Sequence, residues 1–189
     1  MDYVPAALLT RNAAIGGVIL SAVIGLAGIK VTKILNAPVR DIWQSLGGNW
    51  LGRWLFARLI SFYSPYTGTV SPSVPEMSDN HAVAVMRECR SVRNPFKSVH
   101  AAALVNLAEF ASGCAVLYSL PKKTRAIVTD IHATYVAKAR GTLTATAKPD
   151  VDLTKVETSG PVKVVVTVRN SEKQIVCVVT VSWTVSIKN

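Results

Sequence analysis

The chain has 189 residues, enough for one domain of ordinary size with an appendage and too few for two full domains. Half of the residues are hydrophobic and only 17% are charged, so the chain can form a packed core and is not generally disordered. The formal net charge of +10 favours an anionic partner, such as a phosphate-bearing cofactor, an acidic lipid headgroup or a nucleic acid. Nucleic acid is disfavoured, because no basic helix, zinc-ligand spacing or RNA-binding aromatic motif accompanies the charge.

An apolar segment lies near the N-terminus, where residues 12–29 carry no charge and Arg11 and Lys30 flank them. As a helix, these residues would be about 27 Å long, at the short end of what spans a bilayer. The alternatives are a membrane anchor, a buried helix of a soluble protein and a signal peptide, the last disfavoured because lysines follow instead of a small-residue cleavage site. If the segment is an anchor, the basic residues after it place the main domain on the cytoplasmic side, or on the matrix side of a mitochondrial membrane.

Residues 36–63 have apolar side chains at roughly helical spacing, with a predicted helix start at Asn36-Ala37-Pro38 and a break at Gly47-Gly48. Tryptophans and arginines lie among them. The segment is therefore either an amphipathic helix in the membrane interface or a helix packed on its own domain through the tryptophans. Residues 64–79 contain three prolines and are predicted to be an irregular connector without helix.

The periodicity changes at about His81 and becomes that of a sheet with one helix. Alternating or β-branched runs predict strands over residues 82–90, 125–138, 142–147, 161–169 and 179–185. Residues 99–118 predict a helix that is apolar on nearly every side, so protein should cover both of its sides. The order of one strand, one buried helix and four strands predicts an α+β domain with a helix on an antiparallel sheet.

The polar residues of this helix form one narrow stripe. Asn106, Glu109 and Gly113 stand at i, i+3 and i+7 on an otherwise apolar surface. A carboxylate in that position must be paired, solvated in a cleft or shifted in its pKa, because burying it unpaired is costly. Glu109 is therefore either a functional group or a structural glutamate bonded to a backbone group or an arginine.

The three cysteines, Cys89, Cys114 and Cys177, are odd in number and widely spaced. Disulfide scaffolds have even counts and metal sites have closer pairs, so neither is expected. We interpret all three as small buried side chains in a reducing compartment, and we expect no metal and no resident cofactor.

The segment from Asn94 to Gly113 resembles the active-site segment of PaaI-like hotdog thioesterases. That family has an Asn, a His six residues later, two small residues, and an acid nine residues after the His on the central helix, and this sequence keeps both spacings. Residues 134–141 resemble the family's downstream strand and turn, and Pro65-Tyr66-Thr67-Gly68 is closer still to the DUF4442 branch. The resemblance spans residues 64–189 and implies a hotdog fold, an antiparallel sheet wrapped around one central helix, preceded by N-terminal segments 1–35 and 36–63.

The resemblance also implies the site. Glu109 would be the general base or nucleophile, the Ala101 N–H would polarise the thioester carbonyl from the helix N-terminus, and Asn94 and His100 would orient water and hold the loop. This sequence departs from the family's pattern at two points: Ala101-Ala102 replaces the usual glycines, and Glu109 replaces the commoner Asp. A weaker expectation is that Thr129, on the strand predicted over residues 125–138, assists the acid. Three further positions, Ala102, Asn106 and Gly113, are expected to line the substrate.

The implied function is hydrolysis of an acyl-CoA or acyl-carrier thioester by a membrane-tethered enzyme, with the CoA belonging to the substrate. Since the family's acid and its Asn/His group come from opposite subunits, a homodimer or a dimer of dimers is implied. The alternative is a hotdog protein without turnover that acts as an acyl-binding accessory subunit of a membrane assembly, which the Ala101-Ala102 pair favours.

Overall fold

A computed structural model describes residues 37–187, and the apolar segment 12–29 lies outside this range. The helices are α1 (Val39–Leu46), α2 (Trp50–Tyr63), α3 (Pro65–Gly68) and α4 (Ala101–Ser119). The strands are β1 (Ser73–Ser78), β2 (His81–Arg87), β3 (Thr124–Tyr135), β4 (Thr142–Pro149), β5 (Gly160–Arg169) and β6 (Ile175–Ile187).

The strands form one six-stranded antiparallel sheet in the order β1-β2-β4-β5-β6-β3. The inward-facing side chains are small or β-branched, as the alternation in the sequence predicts, and they meet α4 across the core. They include Ala82, Ala84, Ala145, Ala147, Val164, Val166, Val179 and Val181, all fully buried. This arrangement confirms the predicted α+β hotdog fold.

The central helix α4 is apolar because it is enclosed. Leu107, Ala108, Ala111, Ala115 and Val116 are all fully buried. By length and composition the helix could cross a membrane, yet most of it is buried inside the domain. The helix is therefore hydrophobic because it lies in the core of the domain, as the sequence predicted.

The two N-terminal helices are separated at the predicted glycine pair and pack on the domain. Trp43 of α1 contacts Phe56 of α2 edge-on, with ring centroids 5.1 Å apart. A side chain at Gly52 would overlap the Leu46 carbonyl oxygen, so only glycine allows the turn to close. The helices thus pack through Trp43 and Phe56, whereas two other tryptophans on α2, Trp50 and Trp54, are exposed.

The prediction of an irregular connector over residues 64–79 was wrong, because this segment contains α3 and strand β1. Pro65 stands in the first turn of α3, where its missing N–H is not needed by the helix. Pro75 lies in β1 at the edge of the sheet, where the register with β2 shifts between Ser73 and Glu76. An edge strand with such an irregularity accommodates proline, so two strands, not one, precede α4.

The cysteine prediction was correct for two residues and wrong for the third. Cys114 and Cys177 are buried, and burial raises the pKa of their thiols to about 12 and about 11. Cys89 is exposed, because it follows β2 in the short loop that leads towards α4.

Candidate active site

A tight loop before α4 is closed by the side chain of Asn94. The Asn94 Oδ1 atom accepts hydrogen bonds from the backbone N–H groups of Phe96 and Ser98, at 3.0 and 3.2 Å. Its Nδ2 atom donates to the Ser98 hydroxyl at 3.0 Å. Lys97, between these residues, has a positive φ of 55°, a conformation that the surrounding bonds hold in place. Asn94 therefore fixes the loop, and Ser98 is a supporting residue that the sequence did not reveal.

His100 caps the N-terminus of α4. Its Nδ1 atom accepts a hydrogen bond from the Ala102 N–H at 3.1 Å, which occupies one of the first backbone donors of the helix. The Ala101 N–H has no acceptor within residues 37–187. Ala101 is also exposed, so its N–H is available to a ligand at the positive end of the helix dipole.

A cleft of about 360 Å³ adjoins this helix N-terminus and is lined by Asn94, Ser98, Ala101, Leu104, Tyr135 and Lys138, among others. Tyr135 ends strand β3, and its hydroxyl donates to the Ala101 carbonyl oxygen at 3.4 Å. Partial burial raises the pKa of the Tyr135 hydroxyl, which favours its role as a neutral donor. The family resemblance assigned Tyr135 to a strand and turn, but the sequence did not predict that Tyr135 lines the cleft.

A half-buried carboxylate braces the same loop from the other side. Glu88 accepts hydrogen bonds from the Gly141 N–H and from the Arg93 guanidinium, both at 2.6 Å. The bond from Gly141 lowers the pKa of Glu88, and Arg93 lowers it further. Gly141 has a φ of +71°, which glycine adopts without strain. Glu88 thus ties the end of β2 to the turn before β4.

Glu109 lies in a second, smaller cavity of about 160 Å³, beside Gly113 on the same face of α4. Apart from Ser64, Thr67 and Cys114, the other lining residues are apolar and come from α1, α2, α4 and β6: Val39, Phe56, Ile60, Phe110, Leu117 and Trp183. The Glu109 carboxylate is half-buried and forms no hydrogen bond or ion pair with residues 37–187. A structural glutamate would be bonded to a backbone group or an arginine, and neither is present here.

Cys114 also lines this cavity, but its thiol is not a second nucleophile. Burial raises its pKa to about 12, so the thiol stays protonated at neutral pH. Glu109 supplies the carboxylate of this cavity.

The remaining expected positions lie elsewhere. The Asn106 amide is buried and donates to the Tyr66 carbonyl at 2.9 Å, which ties α4 to α3. Thr129 is exposed at a bulge in β3 and donates to the Ser182 carbonyl at 3.3 Å. Ala102 is exposed in the first turn of α4.

Within one chain, the Asn94–Ala101 cleft and the Glu109 cavity are separate and share no lining residue. Ala101 and Glu109 are eight positions apart on the helix, which corresponds to about 12 Å along the axis. One carbonyl group cannot contact both groups of the same chain.

Residues 52–185 match the family described as DUF4442, a domain of unknown function, and the chain belongs to this family. The structural-genomics protein APC5556 is 26% identical, with a TM-score of 0.68 over 80% of this chain and 100% of that one. A mutant of the thioesterase SAV0944 from Staphylococcus aureus subsp. aureus Mu50 is 19% identical, with a TM-score of 0.58 over 65% and 98%. A hypothetical thioesterase from Streptococcus pneumoniae TIGR4, crystallised with coenzyme A, is 20% identical, with a TM-score of 0.52 over 62% and 88%. No curated protein matches the chain.

The Glu88 brace predicts a pH-dependent contribution to stability. Because the folded-state pKa of Glu88 lies below its ordinary value of 4.5, the carboxylate stabilises the fold above that pH and loses this effect as the pH falls through the lowered pKa. We expect Glu88→Gln to reduce the free energy of unfolding by on the order of 1 kcal/mol at pH 7. The difference from the parent should shrink below about pH 4. Denaturant titrations at pH 7 and below about pH 4 measure this difference in the free energy of unfolding, with the exposed Glu157→Gln as control. An equal difference at the two pH values would contradict the lowered pKa of Glu88.

Proposed function

We propose that this hotdog-fold member of the DUF4442 family hydrolyses acyl thioesters, with Glu109 as the general base or nucleophile. The observation that carries the proposal is the unpaired, half-buried Glu109 carboxylate in an apolar cavity. A carboxylate without a protein partner in such a place is free to take a proton from water or to attack a carbonyl. The thioesterases with the same fold support this reaction class.

In the general-base route, Glu109 removes a proton from a water molecule whose oxygen attacks the thioester carbon. The negative charge that develops on the carbonyl oxygen is stabilised by the free Ala101 N–H and by the positive end of α4. The carbon–sulfur bond then breaks, the thiolate takes the proton from Glu109, and the carboxylic acid leaves. In the nucleophile route, the Glu109 carboxylate attacks the thioester carbon, the carbon–sulfur bond breaks, and the thiolate leaves and takes a proton from water. Water then hydrolyses the resulting mixed anhydride, which releases the carboxylic acid and restores Glu109.

The site needs two subunits, because Ala101 and Glu109 of one chain lie in separate cavities. Strand β3 forms one edge of the sheet and pairs only with β6 among residues 37–187. Tyr135, on this strand, also lines the Asn94–Ala101 cleft, so the cleft borders the free edge. A second copy paired along β3 covers this edge and brings its Glu109 towards the cleft. We therefore propose a homodimer, alone or paired into a dimer of dimers.

The substrate we propose is an acyl-CoA or an acyl-carrier thioester. The basic surplus of the chain favours a phosphate-bearing carrier group, and the coenzyme A bound to the Streptococcus pneumoniae protein supports CoA. The apolar walls of the Glu109 cavity, from Phe56, Ile60 and Leu117, suit the acyl part. Because α2 supplies two of these three walls, the N-terminal helices are part of the substrate site.

Replacement of the carboxylate tests the chemistry. Glu109→Gln keeps the size of the side chain but removes its basicity, so kcat should fall by a factor on the order of 10²–10⁴ while acyl-CoA binding persists. Glu157→Gln, on an exposed loop, serves as the matched control and should keep the parent rate. Hydrolysis of a chain-length panel of acyl-CoAs by the full chain measures the effect.

Equal rates for the parent and Glu109→Gln would contradict the catalytic role. Binding of acyl-CoA by the parent without any hydrolysis would favour the second function, an acyl-binding accessory subunit. The structural observation behind that alternative is that Ala101 and Ala102 carry methyl groups at the exposed helix N-terminus, where the related thioesterases usually have glycine.

We further propose that residues 12–29 attach the enzyme to a membrane, with the hotdog domain on the cytoplasmic or mitochondrial-matrix side. The support is the uncharged stretch itself and the basic residues that follow it. The full chain should remain with membranes after a carbonate wash at high pH. Complete release by that wash would rule out a spanning helix and leave a peripheral attachment.

A further inference from the structure

A groove of about 830 Å³ lies between helix α2 and the strands β1 and β2, and shares no lining residue with the Glu109 cavity or the Asn94–Ala101 cleft. We call it the arginine groove, because it is lined by Arg53, Arg58 and Arg87 together with Trp50 and Trp54. No aspartate or glutamate lines it. The charged side chains that line this groove are therefore all positive, and two tryptophans form part of its wall.

The three guanidinium groups have no carboxylate partner in the described part of the chain. Arg53 donates to the carbonyl oxygens of Gly47 and Pro75, and Arg58 donates to that of Pro72. Elsewhere, by contrast, Arg40 pairs with Asp79 and Arg93 with Glu88. The carbonyl bonds hold Arg53 and Arg58 in place without neutralising them, which is how a protein preorganises positive charge for an external anion.

Arg58 also has an unsatisfied donor. Its Nε atom is buried and has no hydrogen-bond acceptor within residues 37–187. A buried donor of a charged group without a partner is costly. An anion bound nearby would lower this cost by neutralising the guanidinium charge.

Exposed aromatic side chains stand beside these arginines. Trp50 is 79% exposed and Trp54 46% exposed, and Leu51 between them is also exposed. A solvent-facing pair of tryptophans beside basic residues is the composition of a protein surface at the headgroup level of a bilayer. A soluble anion would be bound by the arginines alone and would leave these rings in water.

The chain between the apolar segment and helix α1 is short. Nine residues separate Ile29, the last of the uncharged stretch, from Val39, the first residue of α1. Even fully extended, they span only about 30 Å. A segment inserted in a membrane would therefore hold α1 and α2 near the lipid surface.

We propose that the arginine groove binds the phosphate groups of anionic membrane lipids, while Trp50 and Trp54 lie in the bilayer interface. Arg53 and Arg58 provide fixed charge, and Arg87 at the end of β2 adds a more exposed one. This contact orients the domain on the membrane, and it is independent of the thioester chemistry at Glu109.

Tryptophan fluorescence in vesicles tests the proposal. The full chain is reconstituted in vesicles of brominated phosphatidylcholine with increasing fractions of phosphatidylglycerol, and quenching of the emission is measured. Trp43 and Trp183 are buried, so quenching reports mainly on Trp50 and Trp54. Quenching should rise with the anionic fraction, and Trp50→Phe combined with Trp54→Phe should remove most of the rise.

The charge requirement is tested with Arg87→Gln, since Arg87 forms no side-chain hydrogen bond in the described structure and its loss should leave the fold intact. The fraction of anionic lipid needed for half-maximal quenching should rise by about twofold or more. Lys163→Gln removes the same charge from the exposed face of β5, outside the groove, and should behave like the parent. Arg58→Gln should have the larger effect, and the melting temperature checks that it folds.

Three results would overturn the proposal. One is equal quenching in neutral and anionic vesicles, and another is an Arg87→Gln variant that matches the parent. The third is loss of the lipid effect on addition of millimolar glycerol phosphate, because the ligand would then be a soluble phosphate compound. Each of these readouts is independent of thioester hydrolysis, so failure here leaves the proposed function untouched.

Discussion

The enclosure of helix α4 governs the rest of the structure. A helix that is apolar on nearly all sides must be shielded all round, and a curved sheet alone covers only part of its surface. The six strands cover one side. On another side, Arg40 of α1 donates a hydrogen bond to the Tyr118 carbonyl oxygen of α4, and Phe56 of α2 lines the cavity beside Glu109. The fully buried alanines of α4 allow the strands to approach closely, which explains why small residues dominate this helix.

This enclosure leaves two openings along α4, and each contains one part of the proposed active site. At its N-terminus, the Asn94 loop and His100 hold the backbone so that the Ala101 N–H stays free. Two turns further on, the cover formed by α1 and α2 is incomplete, and Glu109 lies in the remaining gap. Because the openings are about 12 Å apart along one rigid helix, Ala101 and Glu109 of one chain cannot contact the same carbonyl group. We propose that a second subunit supplies the other group.

Most of the fold could be predicted from the sequence because its hydrophobic residues recur with a clear period. The alternating valines of β5 and β6 predict strands, and the long apolar run of α4 predicts a buried helix. Strand β1 was missed because Pro75 is tolerated only at a sheet edge, and edge position is a tertiary property. The spacing of Asn94, His100 and Glu109 predicted the candidate site through its resemblance to a family. The sequence could not show that Phe56 and Ile60 of α2 line the Glu109 cavity, since such contacts arise only on folding.

We propose that each active site combines Glu109 of one subunit with the helix N-terminus of the other. Ala101→Pro tests this shared site, because it removes the N–H that would stabilise the oxyanion. Proline is tolerated at the first position of a helix, and His100 already has the extended backbone that precedes proline, so the helix should keep its conformation. Ala101→Pro and Glu109→Gln should each be nearly inactive alone. After the two variants are unfolded and refolded together, hybrid dimers contain one intact site, and the mixture should recover about a quarter of the parent activity. A mixture as inactive as its components, with hybrid dimers demonstrated by differential tagging, would contradict a shared site.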